Sequence, residues 1–208
     1  MSIASNIASK LLQINAIKLS PQNPFTWASG MKSPIYCDNR MILSYPDIRK
    51  AVVEAFVEKA KAFGPIDVVV GVATAGIPHG ALVAEKMGLP FIYVRSKAKA
   101  HGRQNQIEGK VNSGDRALVI EDLISTGGSV LTAVEALRQE NIEVSGVMAI
   151  FTYGFEKADR AFEEANCPFT TLSNYEALLD EAAKEQYISE SEKAVLNDWR
   201  KAPELWKV

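Results

Sequence analysis

Two hydrophobic rhythms alternate through the middle of the chain. Short, nearly unbroken apolar runs occur at "IDVVVGVA" from Ile66, "PFIYV" from Pro90, "RALVIED" from Arg116 and "EVSGVMAIFTY" from Glu143. Between them lie longer segments whose apolar positions recur every three or four residues. The first kind predicts strands buried on both faces, and the second predicts amphipathic helices. Helices are expected in "SYPDIRKAVVEAFVEKAKAF", "GIPHGALVAEKMG" (after a short loop) and "GSVLTAVEALRQEN". In the first of these Ser44 is placed to cap, Pro46 suits the first turn, and Asp47 stands where a capping box wants an acid.

The two ends of the chain read differently. Ile3, Ile7 and Leu11 have helical spacing, and "SPQNPFTWASGMKSP" from Ser20 reads as loop with short extended pieces. After Gly154 the pattern is mostly helical, through "FEKADRAFEEAN", "YEALLDEAAKEQ" and "SEKAVLNDWRKA". The expectation is one α/β domain over 1–208. Its central parallel sheet, flanked by helices, spans about 45–153, with smaller pieces from about 1–44 and 154–208 beside it.

Composition changes this picture little. Apolar residues make up 47% and charged residues 23% of the 208 positions, ordinary values for a globular protein. A net charge of −2 gives no general pull on nucleic acid or an anionic membrane, so an anionic ligand must be met by a local cluster. Cys37 and Cys167 make no disulfide framework, which fits a reducing compartment. The N-terminal stretch lacks the apolar core of a signal peptide, and no run approaches the roughly 20 apolar residues of a membrane span. A cytoplasmic address follows as the expectation.

The candidate chemistry lies at residues 118–130, "LVIEDLISTGGSV". In an open parallel sheet ligands bind beyond the carboxyl ends of the strands. With the strand taken as 116–120, Glu121 and Asp122 fall at that end. Ser125, Thr126, Gly127, Gly128 and Ser129 then form a turn into a helix. Its backbone N–H groups, hydroxyls and helix N-terminus suit a terminal phosphate. The Gly-Lys-Ser/Thr ending of a nucleoside-triphosphate loop is missing. A cradle without lysine, preceded by two carboxylates, suits a sugar phosphate: the loop holds the ester while the acids accept hydrogen bonds from ribose hydroxyls.

This stretch resembles the phosphoribosyl diphosphate (PRPP) motif of the type I phosphoribosyltransferase family. Together with "FTWASGMKSPIYCDNR" and "YVRSKAKAHG" it is similar to the orotate branch of that family, over roughly residues 20–153. The resemblance implies a central sheet with a small hood formed by the N- and C-terminal segments. It implies transfer of the 5-phosphoribosyl group from PRPP to orotate, with Mg²⁺ held mainly through PRPP and no protein metal site. Carried over residue by residue, the PRPP contacts are Arg95, Lys99, His101, Glu121, Asp122, Leu123, Ile124, Ser125, Thr126, Gly127, Gly128 and Ser129. Lys99, His101 and Asp122 are the catalytic candidates, and Ser125 is also the orotate contact.

Between the strands at 90–94 and 116–122 lies a long segment carrying Arg95, Lys97, Lys99, His101 and Arg103, without regular period over its first half. Loops of this length in compact domains are commonly lids or disordered segments. Its cations suit a departing diphosphate, and closure would keep water from the activated sugar. In the family part of this loop reaches the neighbouring subunit's site, so the resemblance implies a homodimer. His79 is assigned to packing or to its helix terminus, with the backbone of 74–76 as the better diphosphate contact. Tyr36 is read as a buried strand aromatic, with stacking on the pyrimidine as the alternative. Three cationic positions of the family pattern are absent: Ala28 and Ala75 stand where lysines are common, and "FTYGF" lacks the arginine that meets the orotate carboxylate. Lys32 could substitute for one.

Overall fold

The computed structural model describes residues 2–27, 30–95 and 106–206. Helix α1 (Ile3–Gln13) opens the chain, its N-terminus closed by the Ser2 hydroxyl, which accepts the Ser5 N–H at 3.1 Å. Four short strands follow, β1 (Ile17–Leu19), β2 (Phe25–Thr26), β3 (Lys32–Ser33) and β4 (Ile35–Cys37); β1 pairs antiparallel with β4, and β2 with β3. A 3₁₀ turn over Asn39–Ser44 then enters α2 (Pro46–Ala60). Ser44 is the last residue of that turn, so Tyr45 takes the N-cap position, and no side chain caps the helix. The expected Ser44 cap is therefore not made.

The main sheet begins with β5 (Val68–Val72), followed by α3 (Gly76–Met87), β6 (Phe91–Val94), β7 (Ile107–Glu108) and β8 (Arg116–Ile124). The chain continues through α4 (Gly128–Gln139), β9 (Glu143–Thr152), α5 (Glu156–Glu164), β10 (Phe169–Asn174), α6 (Tyr175–Lys184) and α7 (Glu190–Lys201). The strand order is β10-β9-β8-β5-β6-β7, parallel except for β7, which returns antiparallel to β6. Two differences from the sequence reading matter. The sheet gains β10 beyond residue 153. In addition, β8 runs four residues past Ile120, because β9 continues alongside it and pairs Glu121 with Ala149 and Ile124 with Thr152.

The successor of β5 in the sheet lies on one side of it, whereas β8, β9 and β10 wind out on the other. The winding therefore reverses between β5 and β8, and the crevice at their carboxyl ends is where an open sheet accommodates a ligand. Leu118, Ile120, Met148 and Ile150 share one core with α1, α2 and α3; Val119, Val147 and Ala149 belong to a second core with α4 and α5. Helix α3 sits close to the sheet because of two glycines. A Cβ on Gly76 would collide with the Ile120 carbonyl oxygen, and one on Gly80 would stand 2.8 Å from Phe91 Cε2.

The N-terminal strands and α7 meet over the end of β9. Trp27 packs edge-on against Trp199 at 5.8 Å between ring centroids, and lies 5.4 Å from Tyr153. Phe155 stacks on Tyr153 at 5.4 Å, and Tyr175 lies 5.8 Å from Trp199. This aromatic cluster ties the two chain ends to the carboxyl edge of the sheet. Such contacts stabilise beyond the area they bury.

Candidate active site

The two acids lie side by side toward the end of β8, with Glu121 in register with Ala149 of β9. Glu121 is buried, and its Oε1 accepts the Asp122 N–H at 2.9 Å. The Asp122 carbonyl in turn accepts from Asn39 Nδ2 at 2.8 Å, which fastens the N-terminal 3₁₀ turn to the strand. Asn39 is fully buried and was not singled out from sequence, although it lies within the quoted "CDNR". Burial, reinforced by the hydrogen bond and charge of Asp122, pushes the Glu121 carboxyl up to about 9. Burial also raises Asp122, but the hydrogen bond from Glu121 and the Arg40 charge work in the other direction. The pair therefore holds its proton on Glu121 and its negative charge on Asp122 at neutral pH. Arg40 itself is tied bidentately to Asp38, at 2.6 and 2.9 Å.

Beyond Ile124 the chain turns through Ser125 and Thr126 to Gly127, which adopts a left-handed φ of 81° as the N-cap of α4. No side chain caps this helix, so the first-turn N–H groups of Gly128, Ser129 and Val130 face outward with their share of the helix dipole. A Cβ on Gly127 would stand 2.9 Å from Phe162 Cε2, whereas one on Gly128 would meet nothing within 4 Å. The loop is thus closed behind and open in front, the shape an anion cradle needs.

The loop preceding α3 lies beside this cradle. Gly76 abuts Ile120 and Glu121, so the backbone of 74–76 sits against the acid pair; Ala75 is the N-cap of α3 and no side chain caps that helix either. His79, one turn further on, is completely buried, and so it presents nothing to a ligand in the crevice. Arg95, at the end of β6, pairs with Glu108 at 3.6 Å, and its N–H donates to the Gln106 carbonyl at 2.9 Å. Lys97, Lys99, His101 and Arg103 lie outside the described residues, as does Ala28.

Ser125 joins the cradle to two adjoining cavities. One, of about 310 Å³, is lined by Thr26, Trp27, Tyr36, Cys37, Leu123, Ser125 and Tyr153. The other, of about 500 Å³, runs from Trp27, Ser125 and Thr126 past Gly154 and Phe155 to Arg200. Tyr36 is 41% exposed rather than buried, and leans against Phe25 at 5.7 Å. Its ring is part of the cavity wall, on a strand that pairs, among the described residues, with the short β1. Burial, with the nearby Asp122 and Asp38, pushes the Cys37 thiol well up, so it is a neutral wall group. Lys32 Nζ donates to Thr26 Oγ1 at 2.8 Å, at the edge of the smaller cavity. Trp27, Tyr153 and Arg200 were not foreseen. Nothing in the local sequence marks them out, and only the folding of both chain ends onto β9 brings them to Ser125.

A parallel sheet that binds at its β5/β8 reversal, with an acid pair followed by a phosphate-sized glycine turn, defines a phosphoribosyltransferase domain. The family model described as "Phosphoribosyl transferase domain" matches residues 38–186. Among proteins of known sequence, the chain is 52% identical over 207 residues to an orotate phosphoribosyltransferase of Listeria innocua, covering 99% of each chain. It is 56% identical over 200 residues to one of Bacteroides thetaiotaomicron, covering 96% of this chain and 94% of that one. The crystal structure of orotate phosphoribosyltransferase from Aeropyrum pernix superposes with a TM-score of 0.77 at 26% identity, covering 88% of this chain and 99% of that one. The chain belongs to the orotate phosphoribosyltransferase family.

Proposed function

We propose that this chain transfers the 5-phosphoribosyl group of PRPP to orotate, forming orotidine 5-phosphate and diphosphate in pyrimidine biosynthesis. The observation that carries this reading is the junction at Ser125, where an uncapped helix N-terminus adjoins an aromatic cavity wide enough for a pyrimidine. The 5-phosphate would rest on residues 125–129, with Leu123 and Ile124 supplying backbone at the entrance. Asp122 and Glu121 would hold the ribose hydroxyls, and the charge on Asp122 would stabilise the oxocarbenium-like transition state. Glu121, holding its proton, would donate one hydrogen bond where a carboxylate would only accept. Ser125 would also contact the base.

The departing diphosphate would meet the backbone of 74–76 together with Arg95, Lys99 and His101, whose cations match the charge that grows as the glycosidic bond breaks. Arg95 would exchange its Glu108 partner for the ligand. The described residues gather no group of three or more His, Cys, Asp or Glu able to hold a metal. Mg²⁺ would enter on the diphosphate oxygens and water, as suits a hard, hydrated ion, and would neutralise charge there. The segments 1–44 and 154–208 would act as a hood over the base, within one domain. The loop of 96–105 would serve the site of a second subunit in a homodimer. No helix among the described residues is long and apolar enough to cross a membrane, and a cytoplasmic address fits the unpaired cysteines.

Incubation with PRPP, Mg²⁺ and a panel of orotate, uracil and purine bases tests the reading. Nucleotide formation from orotate in strong preference to the other bases is expected. Preferred use of uracil or of a purine would overturn it.

A further inference from the structure

Orotate is a carboxylate-bearing base, and a carboxylate taken into a partly apolar cavity requires a cation held ready for it. The larger cavity, which shares Trp27 and Ser125 with the aromatic one, is also lined by Gly154, Phe155 and Arg200, the last on the final turn of α7. We infer that Arg200 is the specificity residue for the acceptor, receiving the carboxylate that distinguishes orotate from a plain pyrimidine. This inference rests on orotate being the acceptor.

Four observations support it. Helix α7 is firmly set. Its N-terminus has a reciprocal capping box between Ser189 and Glu192, and the Tyr175 hydroxyl donates to the Leu196 carbonyl at 2.9 Å. Trp199, the residue before Arg200, is completely buried in the aromatic cluster and anchors the turn. The Arg200 guanidinium lies over the Tyr175 ring, 5.7 Å from its centroid, and Nη1 stands 3.5 Å from the position a Cβ on Gly154 would occupy. The fork is thus held over an aromatic face and stands beside the backbone of Gly154. Such a fork is suited to bidentate contact with a carboxylate.

The other charges of that cavity are already committed or turned to water. Lys201 pairs with Asp198 at 3.0 Å, and Glu156 pairs with Arg160 at 2.8 Å. Lys157 and Glu204 are exposed. Among the described residues Arg200 makes no ion pair, although Glu204 lines the same cavity. A half-buried guanidinium on an aromatic ring, without an ion-pair partner among the described residues and lining one cavity with Ser125, is arranged to receive an anion. Arg200 Nη1, 3.5 Å from the place of a Cβ on Gly154, thus brings a cation from the other end of the chain to the segment "FTYGF", which carries none of its own.

The test compares orotidine 5-phosphate with UMP, which has the same sugar, phosphate and ring but no carboxylate, by calorimetric titration of the full chain. The wild type should bind orotidine 5-phosphate more tightly. In both Arg200→Ala and Arg200→Gln that affinity should fall roughly 10- to 100-fold, the range for hydrogen bonds to charged groups, while UMP affinity stays unchanged. Arg200→Lys should recover part of the loss. The glutamine variant keeps the stem packed over Tyr175, so it carries the test should the alanine variant not fold. Unchanged affinity for orotidine 5-phosphate overturns the inference, and so does an equal fall for both nucleotides, the mark of a purely structural role. A wild type that neither uses orotate nor prefers its nucleotide defeats the parent reading together with this one, and is seen before any variant is compared.

Discussion

The Asp122 N–H donates to Oε1 of Glu121, 2.9 Å away, so one oxygen of the glutamate is tied to the backbone of the neighbouring acid. This contact, with burial, explains how two adjacent carboxylates coexist beside a phosphate cradle. Like charges at such range cannot both ionise cheaply. Glu121 retains its proton, at about 9, and only Asp122 carries charge at neutral pH. For the proposed substrate, the repulsion on a phosphate in the turn would be correspondingly smaller, while a single charge would remain for the sugar.

The first prediction follows from that proton. Glu121 binds it more tightly in the folded than in the unfolded chain. Between its ordinary value of 4.5 and about 9 the folded state therefore holds more protons, and stability falls as pH rises. Glu121→Gln mimics the protonated acid and removes this slope. The variant should be more stable than wild type by about 2–4 kcal/mol at pH 8 and by little at pH 5, since each tenfold change in proton affinity is worth about 1.4 kcal/mol. Turnover should drop. Urea midpoints at pH 5, 6.5 and 8 measure the effect; a stability difference that does not grow with pH would refute the protonated state.

Gly127 and Gly128 are adjacent, yet substitution should act on different properties. Gly127 has φ 81° and faces Phe162 at 2.9 Å from its notional Cβ, so Gly127→Ala should cost about 1–3 kcal/mol of stability through left-handed strain and collision. Gly128 is helical and opens onto free space. Gly128→Ala should leave stability equal or raised by up to about 1 kcal/mol, because alanine is the better helix former. Its methyl would enter the volume assigned to the phosphate, so the KM for PRPP should rise about tenfold. Thermal melts alongside PRPP kinetics separate the two; a destabilised Gly128→Ala with unchanged KM would mean the open face is not the phosphate site.

The strands β5, β6, β8 and β9 were legible because continuous Val and Ile runs can be satisfied only by burial on both faces. β10 was not. It is an edge strand whose "FTTLSN" carries three hydroxyl side chains, and it lies between two helical segments with the same polarity. The acids and the glycine turn were legible for a different reason: they are contiguous, so their placement at a strand end needs no tertiary knowledge. The protonation of Glu121 does need that knowledge, since it arises from what packs around the carboxyl. The same holds for the larger cavity at Ser125, where Trp27 and Arg200 come from opposite ends of the chain. Periodicity gives their elements but not the face on which those elements meet.

Lys99 belongs to the basic segment between β6 and β7. If it stabilises diphosphate as charge develops on it, the contact is stronger in the transition state than in the ground state. Lys99→Ala should then lower the single-turnover rate by at least about a hundredfold, with PRPP affinity changed far less. An unchanged chemical step, with affinity alone reduced, would reassign the lysine to ground-state binding.

His79 makes the last prediction, from burial without partners. Gly76 and Gly80 draw α3 against the sheet on either side of it, and the closed turn leaves both ring nitrogens without a hydrogen-bond partner among the described residues. Burial pushes its pKa down to about 4 from the ordinary 6.5. The folded state therefore binds fewer protons than the unfolded state between those values, and stability is lost as pH falls from 6.5 toward 4, by up to roughly 3 kcal/mol. This slope opposes that of Glu121 where the two windows overlap, so the wild type alone cannot separate them. His79→Leu should remove the acid-side loss and, because it also removes two unsatisfied buried polar atoms, should be at least as stable as wild type at pH 7. Denaturant midpoints from pH 4 to 7, with Glu121→Gln as the common background, isolate the histidine. If the double variant loses stability toward pH 4 as steeply as Glu121→Gln does, His79 is not what makes this fold sensitive to acid.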